Sequence, residues 1–362
     1  MNAAAKNYDG VNKYIRITDI DEASSTYTDK DIVSPDGVLT DNYLVNNRDI
    51  LLARTGASTG KSYLYKKSDG KLYYAGFLIR ANVTTHDPYF VFSQLHTHRY
   101  WRWVSIMSAR SGQPGINSQE YSSFPIYTTS IEEESKIAKL LSLLDERIAT
   151  QNKIIEDLKK LKSAIIVEHY RQTEKNEVCV ADLGNHFNVG NLAKDDLSET
   201  GKPCIIYGEL FTTYGEIISQ IESHTNKTEG MILSKKGDLL FPSSTTVDAV
   251  SLIAPSVINV GNVILGGDMF GIHINHNYNA QYLSYYFNHI AKKQLAKYAK
   301  GSTIIHLHYA DIKKAKLLLP SLEEQNRMAK CLVILDDKIK VENSLLNLLN
   351  SQKAYLLCQM FI

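Results

Sequence analysis

Residues 130–148 read SIEEESKIAKLLSLLDERI, and residues 321–339 read SLEEQNRMAKCLVILDDKI. The two stretches lie 191 residues apart, and the window 130–162 contains twelve residues that recur identically at that offset. About two such matches are expected by chance at average residue frequencies. The chain therefore contains a duplicated segment, and its organisation follows from that repeat.

Apolar residues in each copy are spaced alternately three and four apart, which is typical of a coiled-coil seam. Gln151 and Glu342 interrupt the two seams at the same place, and a polar residue there fixes the register at a cost in stability. The seam residues are Ile137, Leu141, Leu144, Ile148, Ile155, Leu158 and Ile165 in the first copy and Met328, Leu332, Leu335, Ile339, Leu346, Leu349 and Leu356 in the second.

Each seam is preceded by a capping box, the pattern of a helix N-terminus. Ser130 is followed three residues later by Glu133, and Ser321 is followed three residues later by Glu324. The spacing predicts two helices of about 35 to 40 residues, or about 55 Å each at 1.5 Å per residue. We expect the two helices of one chain to pair antiparallel. The alternative is a coiled coil between two chains.

The parts of the chain before each helix are β-rich and are also duplicated. RDILLARTG at 48–56 aligns with GDLLFPSST at 237–245, and Gly112 of ARSGQPGIN (109–117) aligns with Gly301 of AKGSTIIHL (299–307); both spacings are 189 residues. The predicted fold class is α+β, with two β-rich domains separated by the antiparallel helices and related by a pseudo-twofold repeat. The predicted domains are 1–129, 130–177, 178–320 and 321–362.

The two β-rich domains differ at their beginnings. The stretch VCVADLGNHFNVGNLAK at 178–194 has no counterpart in the first domain when Asp19 is aligned with Glu209. We therefore expect the first domain to be shorter at its N-terminal side than the second.

Composition limits the classes of function. The chain has 362 residues, 44% of them hydrophobic, and a formal net charge of +1, which argues against a strongly basic nucleic-acid binder. The four cysteines lie far apart, as expected of reduced thiols in a cytoplasmic protein. We expect no membrane span, because every long apolar run is interrupted by polar residues, glycine or proline.

Several short motifs suggest catalysis, but none fits its chemistry. RTGASTGKS at 54–62 has three residues between Gly56 and Gly60, whereas a phosphate-binding P-loop needs four. HDPYFVF at 86–92 lacks a proline of the amino-methyltransferase loop and predicts a helix start at Pro88 instead. The HTH and HLH triplets at 96–98 and 306–308 lack a third metal ligand at a useful spacing.

The strings YIRITDID, RDILLARTGASTGK and SGQPGIN, together with the two helical repeats, resemble the specificity (S) subunit of type I restriction–modification systems over nearly the whole chain. The resemblance implies a non-catalytic DNA-binding subunit whose two target-recognition domains each read one half of a gapped double-stranded target. It also implies that the helices set the gap and dock two methyltransferase (M) subunits carrying S-adenosylmethionine. A restriction (R) subunit would use ATP and Mg²⁺. No cofactor is expected on this chain.

By that resemblance and by position in the repeat, two loops of each domain are candidates for DNA contact. Amide side chains can bind adenine edges and arginine the guanine edge, while lysine and serine more often hold phosphates. The candidates are Arg54, Thr55, Ser58, Thr59, Lys61, Gln113 and Asn117 in the first domain, and Ser243, Ser244, Thr245, Thr246, Ser302, Thr303 and His306 in the second.

Two other classes of function remain open at this point. One is a restriction–modification enzyme chain with its own catalysis, which saturable binding of S-adenosylmethionine would favour. The other is a coiled-coil adaptor that never binds DNA, which loss of methylation at a gapped motif on deletion would exclude. Because the net charge is near zero, we expect weak DNA binding by the chain alone.

Overall fold

The computed structural model describes residues 1–109 and 112–361, and the chain divides into two compact units. Unit 1 comprises Met1–Ile154 and Glu342–Ile362, and unit 2 comprises Ile155–Val341. Arg110 and Ser111 of the repeated loop, and Ile362 of the last predicted domain, lie outside the described residues.

Unit 1 is built on short strands and one three-stranded antiparallel sheet. β4 is the central strand of that sheet, between β5 and β7; β2 pairs parallel with β6, and β1 pairs antiparallel with β3. The strands are β1 (Ala4–Asn7), β2 (Lys13–Ile15), β3 (Val33–Asp36), β4 (Asp49–Ala53), β5 (Ser62–Leu64), β6 (Leu72–Tyr74) and β7 (Leu78–Asn82).

The helices α1 (Pro88–Gln94), α2 (His98–Met107) and α3 (Ser118–Tyr121) follow these strands. Asp87 caps α1 by accepting hydrogen bonds from two backbone N–H groups, and Pro88 occupies its first turn. Proline suits this position because the first N–H of a helix has no intrahelical partner. The helix start predicted at Pro88 is therefore confirmed.

Unit 2 contains two five-stranded sheets, ordered β12-β17-β15-β19-β9 and β10-β13-β11-β18-β14. Two-stranded pairs join β16 with β20 and β8 with β21. The strands are β8 (Asn176–Cys179), β9 (Gly184–Asn188), β10 (Leu197–Ser198), β11 (Lys202–Ile206), β12 (Ile217–Ile218), β13 (Ser223–Thr225), β14 (Ile232–Leu233), β15 (Asp238–Pro242), β16 (Ser244–Thr245), β17 (Ser256–Ile258), β18 (Ile264–Gly266), β19 (Met269–Ile274), β20 (Ile305–His306) and β21 (Lys316–Leu319).

The short helices of unit 2 lie between these strands. α7 is rich in aromatic residues, and its Tyr282, Tyr285 and Phe287 are buried in the main core of the unit. The helices are α5 (Glu209–Thr212), α6 (Ala249–Leu252), α7 (Ala280–His289), α8 (Lys292–Leu295) and α9 (Tyr309–Ile312).

Two long helices, α4 (Ile131–Gln172) and α10 (Leu322–Met360), each contribute to both units. In unit 1, the beginning of α4 packs against the end of α10: Ala138 and Leu141 share a cluster with Leu357. Gln151 Nε2 donates a hydrogen bond to the backbone oxygen of Glu342 (3.0 Å). The pair is therefore antiparallel here, as predicted.

In unit 2, the end of α4 packs against the beginning of α10. Ile166 shares a core cluster with Met328 and Leu332, and His169 Nε2 lies 2.9 Å from Glu324 Oε2. The intramolecular antiparallel pair is confirmed, although Ile166 is more deeply buried than the predicted seam residue Ile165.

The first of the two hydrogen bonds of a capping box is present at the start of each long helix. Ser130 Oγ accepts from the Glu133 N–H, and Ser321 Oγ accepts from the Glu324 N–H, both at 3.3 Å. Within the described residues, no helix is long and apolar enough to cross a membrane.

Candidate nucleic-acid interface

The candidate loops of each unit follow a buried strand that begins with a buried aspartate. In unit 1, Asp49 accepts hydrogen bonds from the side-chain amide of Asn82 and from the backbone N–H of Asn46, both at 2.7 Å. In unit 2, Asp238 lies 2.6 Å from Nδ1 of His273. A buried carboxylate needs such partners to offset its lost hydration, and these contacts hold the strand from which each loop leaves.

In unit 1, the loop after β4 is hydrogen-bonded to the Gly-containing loop that precedes α3. The Ile116 N–H donates to the Arg54 carbonyl (3.0 Å), and the Gly56 N–H donates to the Pro114 carbonyl (2.9 Å). Thr55 and Gly115 also form an isolated antiparallel bridge. Two stretches that lie about 60 residues apart in sequence therefore form one surface.

Unit 2 joins the corresponding loops in the same way. The Leu307 N–H donates to the Ser243 carbonyl (2.9 Å), and β16 pairs antiparallel with β20, with Thr245 opposite Ile305. Ile116 and Leu307 are both buried at this junction. The structure thus brings together, within each unit, the two loops that the repeat singled out.

The predicted residues differ in their access to a ligand. The side chains of Arg54, Gln113, Thr246, Ser302 and Thr303 are exposed, and those of Thr55, Ser58, Lys61, Asn117, Thr245 and His306 are partly exposed. Thr59, Ser243 and Ser244 are buried, which suits a role in shaping the loop. The Thr59 hydroxyl donates to the Gly56 carbonyl at 2.7 Å.

Two of the partly exposed candidates already have partners within unit 1. Lys61 Nζ lies 3.1 Å from the Glu22 carboxylate. Asn117 caps α3: its Oδ1 accepts from the Glu120 N–H (2.9 Å), and its own N–H donates to the Glu120 carboxylate (2.7 Å). The amide nitrogen of Asn117 still has donors to offer a base edge.

Gly60 of RTGASTGKS is required by the packing of the loop against α2. Gly60 has φ +95°, and a Cβ there would lie 2.7 Å from the side chain of Val104 on α2, so the position needs glycine for both conformation and space. The Gly60 N–H faces the Ala53 carbonyl and the Tyr121 hydroxyl, and the Tyr100 hydroxyl donates to the Gly60 carbonyl at 2.8 Å.

A phosphate cradle needs free backbone N–H groups pointing at the ligand. In this loop the Gly56 N–H donates to Pro114, the Thr59 N–H to Gly56 and the Lys61 N–H to Ser58. Burial raises the pKa of Tyr121 to about 12, so its hydroxyl stays protonated. The geometry agrees with the rejection of the P-loop reading from loop length.

The loop alignment differs by two residues from the one read off the sequence. His308 is the N-cap residue of α9 as Asn117 is the N-cap residue of α3, and these residues are 191 apart, whereas Gly112 and Gly301 are 189 apart. His308 is therefore the structural counterpart of Asn117, and the sequence alignment missed it. The 191-residue spacing of the helical repeat, extended to these loops, gives the same equivalence.

His308 lies in a concave surface with Asp268, Lys300, His306 and Asp311. Lys300 Nζ forms an ion pair with Asp311 (2.5 Å), and this contact lowers the pKa of the Asp311 carboxyl. Among residues 1–109 and 112–361, no group of three or more His, Cys, Asp or Glu side chains is placed so that it could hold a metal ion.

A match to a family model identifies the family to which the chain belongs. The family model described as "Type I restriction modification DNA specificity domain" matches residues 1–160 and 173–351. The chain belongs to that DNA specificity family. The two matched segments each contain one of the loop pairs described above.

Curated relatives of this specificity family come from Methanocaldococcus jannaschii. The MjaX type I restriction enzyme specificity subunit is 25% identical over 284 residues, covering 73% of this chain and 65% of the relative. The MjaVIII specificity subunit is 24% identical over 325 residues, covering 83% of this chain and 75% of the relative. The chain thus spans just under two thirds of the first relative.

Solved structures share the fold of this specificity-family chain. The S subunit of a type I restriction–modification system from M. genitalium matches with a TM-score of 0.62 and 16% identity, covering 98% of this chain and 89% of the other. A chain from a structure of type I complex assembly matches with a TM-score of 0.57 and 15% identity, covering 96% and 90%. These likenesses confirm the predicted α+β fold with paired helices.

Proposed function

We propose that this chain is the DNA sequence-specificity subunit of a type I restriction–modification complex, and that each unit reads one half of a split double-stranded target. One observation carries the proposal: both units present the same pair of hydrogen-bonded loops, but with different exposed side chains. A shared frame with different side chains suits two unequal half-sites, because sequence is read by side chains at base edges.

The exposed side chains suggest how each half-site is read. In unit 1, Arg54 can donate two hydrogen bonds to a guanine, and Gln113 can bind an adenine. In unit 2, Thr246, Ser302 and Thr303 offer hydroxyls and methyl groups, which suit a thymine methyl or a mixed edge. Lys61 is assigned to a phosphate, since lysine positions the protein without reading sequence.

We further propose that the long helices dock two methyltransferase subunits. Apolar residues on their outer faces support this, because such residues are costly to leave in water unless a partner covers them. They are Leu140, Leu143, Ile154, Leu348 and Tyr355 in unit 1 and Leu161, Ile334 and Val341 in unit 2.

The chemistry is assigned to partner subunits, with S-adenosylmethionine on the methyltransferases and ATP with Mg²⁺ on a restriction subunit. The internally bonded glycine loop supports a non-catalytic role for this chain. A net charge of +1 releases few counterions on binding, so we expect tight binding to DNA only with the partners present.

The test is to find methylated adenines in the genome of a host that carries the complete complex. Wild type is expected to give one gapped motif with two defined halves. Arg54→Ala with Gln113→Ala should relax only one half, and Ser302→Ala with Thr303→Ala only the other. Each lost base contact is expected to cost about 1–3 kcal/mol of discrimination.

Lys67→Ala is the matched control, because Lys67 is exposed in unit 1 but lies outside both loops. It should leave the motif unchanged. An ungapped methylation motif would contradict the assignment of one half-site to each unit. Relaxed sequence preference in both halves after substitutions in one loop pair would contradict it too. Saturable binding of S-adenosylmethionine to the purified chain would favour an enzyme instead.

A further inference from the structure

A cleft of about 660 Å³ lies in unit 1 between the start of α2 and the end of α10. His98, Arg99 and Arg102 line it from α2, and Lys353 lines it from α10. Within residues 1–109 and 112–361, the lining of this cleft includes neither aspartate nor glutamate. Basic side chains from two helices therefore share one concave surface, which we call the basic cleft.

The two arginines of the basic cleft carry positive charges that no carboxylate compensates. Arg99 Nη2 donates to the Pro125 carbonyl at 2.8 Å, and the guanidinium carbon lies 4.1 Å from the centre of the Tyr127 ring. These neutral partners orient Arg99 without cancelling its charge. Arg102 is exposed, and neither arginine is in an ion pair among residues 1–109 and 112–361. Because a guanidinium is always charged in proteins, both charges remain available to an anion.

Lys353 adds a third cation to the basic cleft. Its Nζ lies 2.6 Å from Asp145 Oδ1, and an ammonium group has three N–H donors, so this ion pair leaves donors for a second acceptor. Burial, and after it the charge of Lys353, lowers the pKa of His96, which also lines the cleft, to about 4. The charge of Lys353 thus acts on a group within the cleft and disfavours a further cation there.

Apolar side chains form another part of the wall. Leu357 and Phe361 line the basic cleft from α10, and both are buried in a cluster with Phe90. Clefts with charges of one sign and low-dielectric walls concentrate the electrostatic potential. The basic cleft should therefore attract an anion more strongly than the same charges on a flat surface.

In unit 2, the lysine that corresponds to Lys353 has one carboxylate partner more. Lys162 occupies the position of Lys353 in the repeat, 191 residues earlier, and it pairs with both Asp336 and Glu216. In the described part of unit 1, Asp145 is the one carboxylate paired with Lys353. The repeat thus shows that this lysine can pair with two anionic groups, and unit 1 supplies one of them.

We propose that the basic cleft of unit 1 binds a phosphate group, which gives Lys353 the second anionic partner that Glu216 gives Lys162. Arginine donates two parallel hydrogen bonds to phosphate oxygens, and lysine binds them as a point charge. The two-bond contact is assigned to Arg102, with support from Arg99 and Lys353. A phosphate suits three cations better than a carboxylate, because it carries more negative charge and more acceptor oxygens.

The phosphate group can come from two sources, a free phosphate ion and the DNA backbone. Binding of the free ion stands apart from the proposed function, whereas the DNA source rests on it. Ala23 of the basic cleft follows Glu22, whose carboxylate lies 3.1 Å from Nζ of Lys61. The cleft therefore begins beside a residue of one candidate DNA-contact loop.

The first test titrates the full chain with inorganic phosphate at constant ionic strength, followed by isothermal titration calorimetry. We expect one saturable site per chain with a Kd of about 1 mM or tighter. Arg102→Gln should raise this Kd about tenfold, and Arg102→Lys, which keeps the charge, should recover part of the loss. No saturable binding by wild type overturns the proposal, as does an equal Kd for wild type and Arg102→Gln.

Lys297→Gln is the matched control in unit 2. Gln294 donates to a backbone carbonyl as Arg99 does, and the two carbonyls lie 191 residues apart. Lys297 therefore occupies the position of Arg102, three residues further along, and it is also exposed. Its replacement should leave the Kd for phosphate unchanged. A rise of about tenfold would place the site in unit 2 and would contradict the proposal.

The second test identifies the source of the phosphate with the complete complex and duplex DNA. For a backbone phosphate, Arg102→Gln should weaken binding to every sequence alike and lower the salt dependence by about one counterion. For a free ion, the affinity for DNA should stay the same. Either source leaves the methylation motif unchanged, because phosphate contacts carry no sequence information. A changed motif would assign Arg102 to a base and sink the phosphate assignment, whereas a wild type without a gapped motif would count against the proposed function alone.

Discussion

The two units carry the same ion pair between the long helices but surround it differently. In unit 1, Lys353 Nζ lies 2.6 Å from Asp145 Oδ1, and in unit 2, Lys162 Nζ lies 2.7 Å from Asp336 Oδ1. Both pairs occupy positions 191 residues apart in the repeat. Unit 2 adds Glu216, at 3.0 Å from Lys162, so the duplicated pair gains a second carboxylate in that unit.

Because the lysine is more deeply buried in unit 2 than in unit 1, the same lysine–aspartate ion pair should contribute more to stability in unit 2. The side chain of Lys162 is 8% exposed and that of Lys353 is 24% exposed. His289 Nε2 lies 2.9 Å from the Glu216 carboxylate. The Tyr285 hydroxyl donates to Asp336, as the Tyr89 hydroxyl donates to Asp145 in unit 1. Removing the buried lysine leaves two carboxylates without compensation, whereas a more exposed pair contributes less.

The largest effect is expected from Lys162→Met. It leaves Glu216 and Asp336 as neighbouring, partly buried carboxylates and should lower the free energy of unfolding by about 3–5 kcal/mol. Lys353→Met, the matched substitution in unit 1, should cost about 1 kcal/mol or less. Urea unfolding followed by circular dichroism measures both, and equal losses would remove the energetic distinction between the units.

Acid should destabilise the two units in different pH windows. Burial favours the neutral form of Glu216, but hydrogen bonds from His289 and Lys162 outweigh it and lower the pKa from 4.5 to about 2. The stabilisation is thus complete above about pH 4.5 and lost as the pH falls towards 2. At about 1.4 kcal/mol per pKa unit, the loss is about 3 kcal/mol.

Unit 1 should respond at higher pH through His96. Burial lowers the pKa of His96 from 6.5 to about 4, so the unfolded chain takes up a proton first, and stability falls between about pH 6.5 and 4 by about 3 kcal/mol. Trp101 and Trp103 both lie in unit 1, so tryptophan fluorescence follows that unit. His96→Gln should flatten this window and leave the Glu216 window unchanged.

A smaller effect is expected where β9 pairs with β19 in unit 2, at Gly271 opposite Phe187. Gly271→Ala places a methyl group against the ring of Phe187 and should cost about 1–3 kcal/mol by overpacking. Combining it with Phe187→Ala should give less than the sum of the single losses. Additive losses would show that the ring is not what requires glycine at this position.

Much of the fold could be predicted because the repeat and its periodicity are local in sequence. The seam places Leu141 and Leu332 in cores, and Asp49 aligns with Asp238 as a buried strand start. The loops that carry the candidate residues were also predicted. Their burial was not, because Thr59 and Ser243 look as polar as their exposed neighbours and only neighbouring elements decide which face is covered.

By itself, the sequence determined the duplication and the two long helices, since helical periodicity and cap residues depend on residues a few positions apart. Tertiary structure alone decided that the two long helices of one chain pair with each other, which loop residues remain exposed, and that Glu216 joins the ion pair of unit 2. These features arise from residues 50 or more positions apart, and no local spacing encodes such contacts.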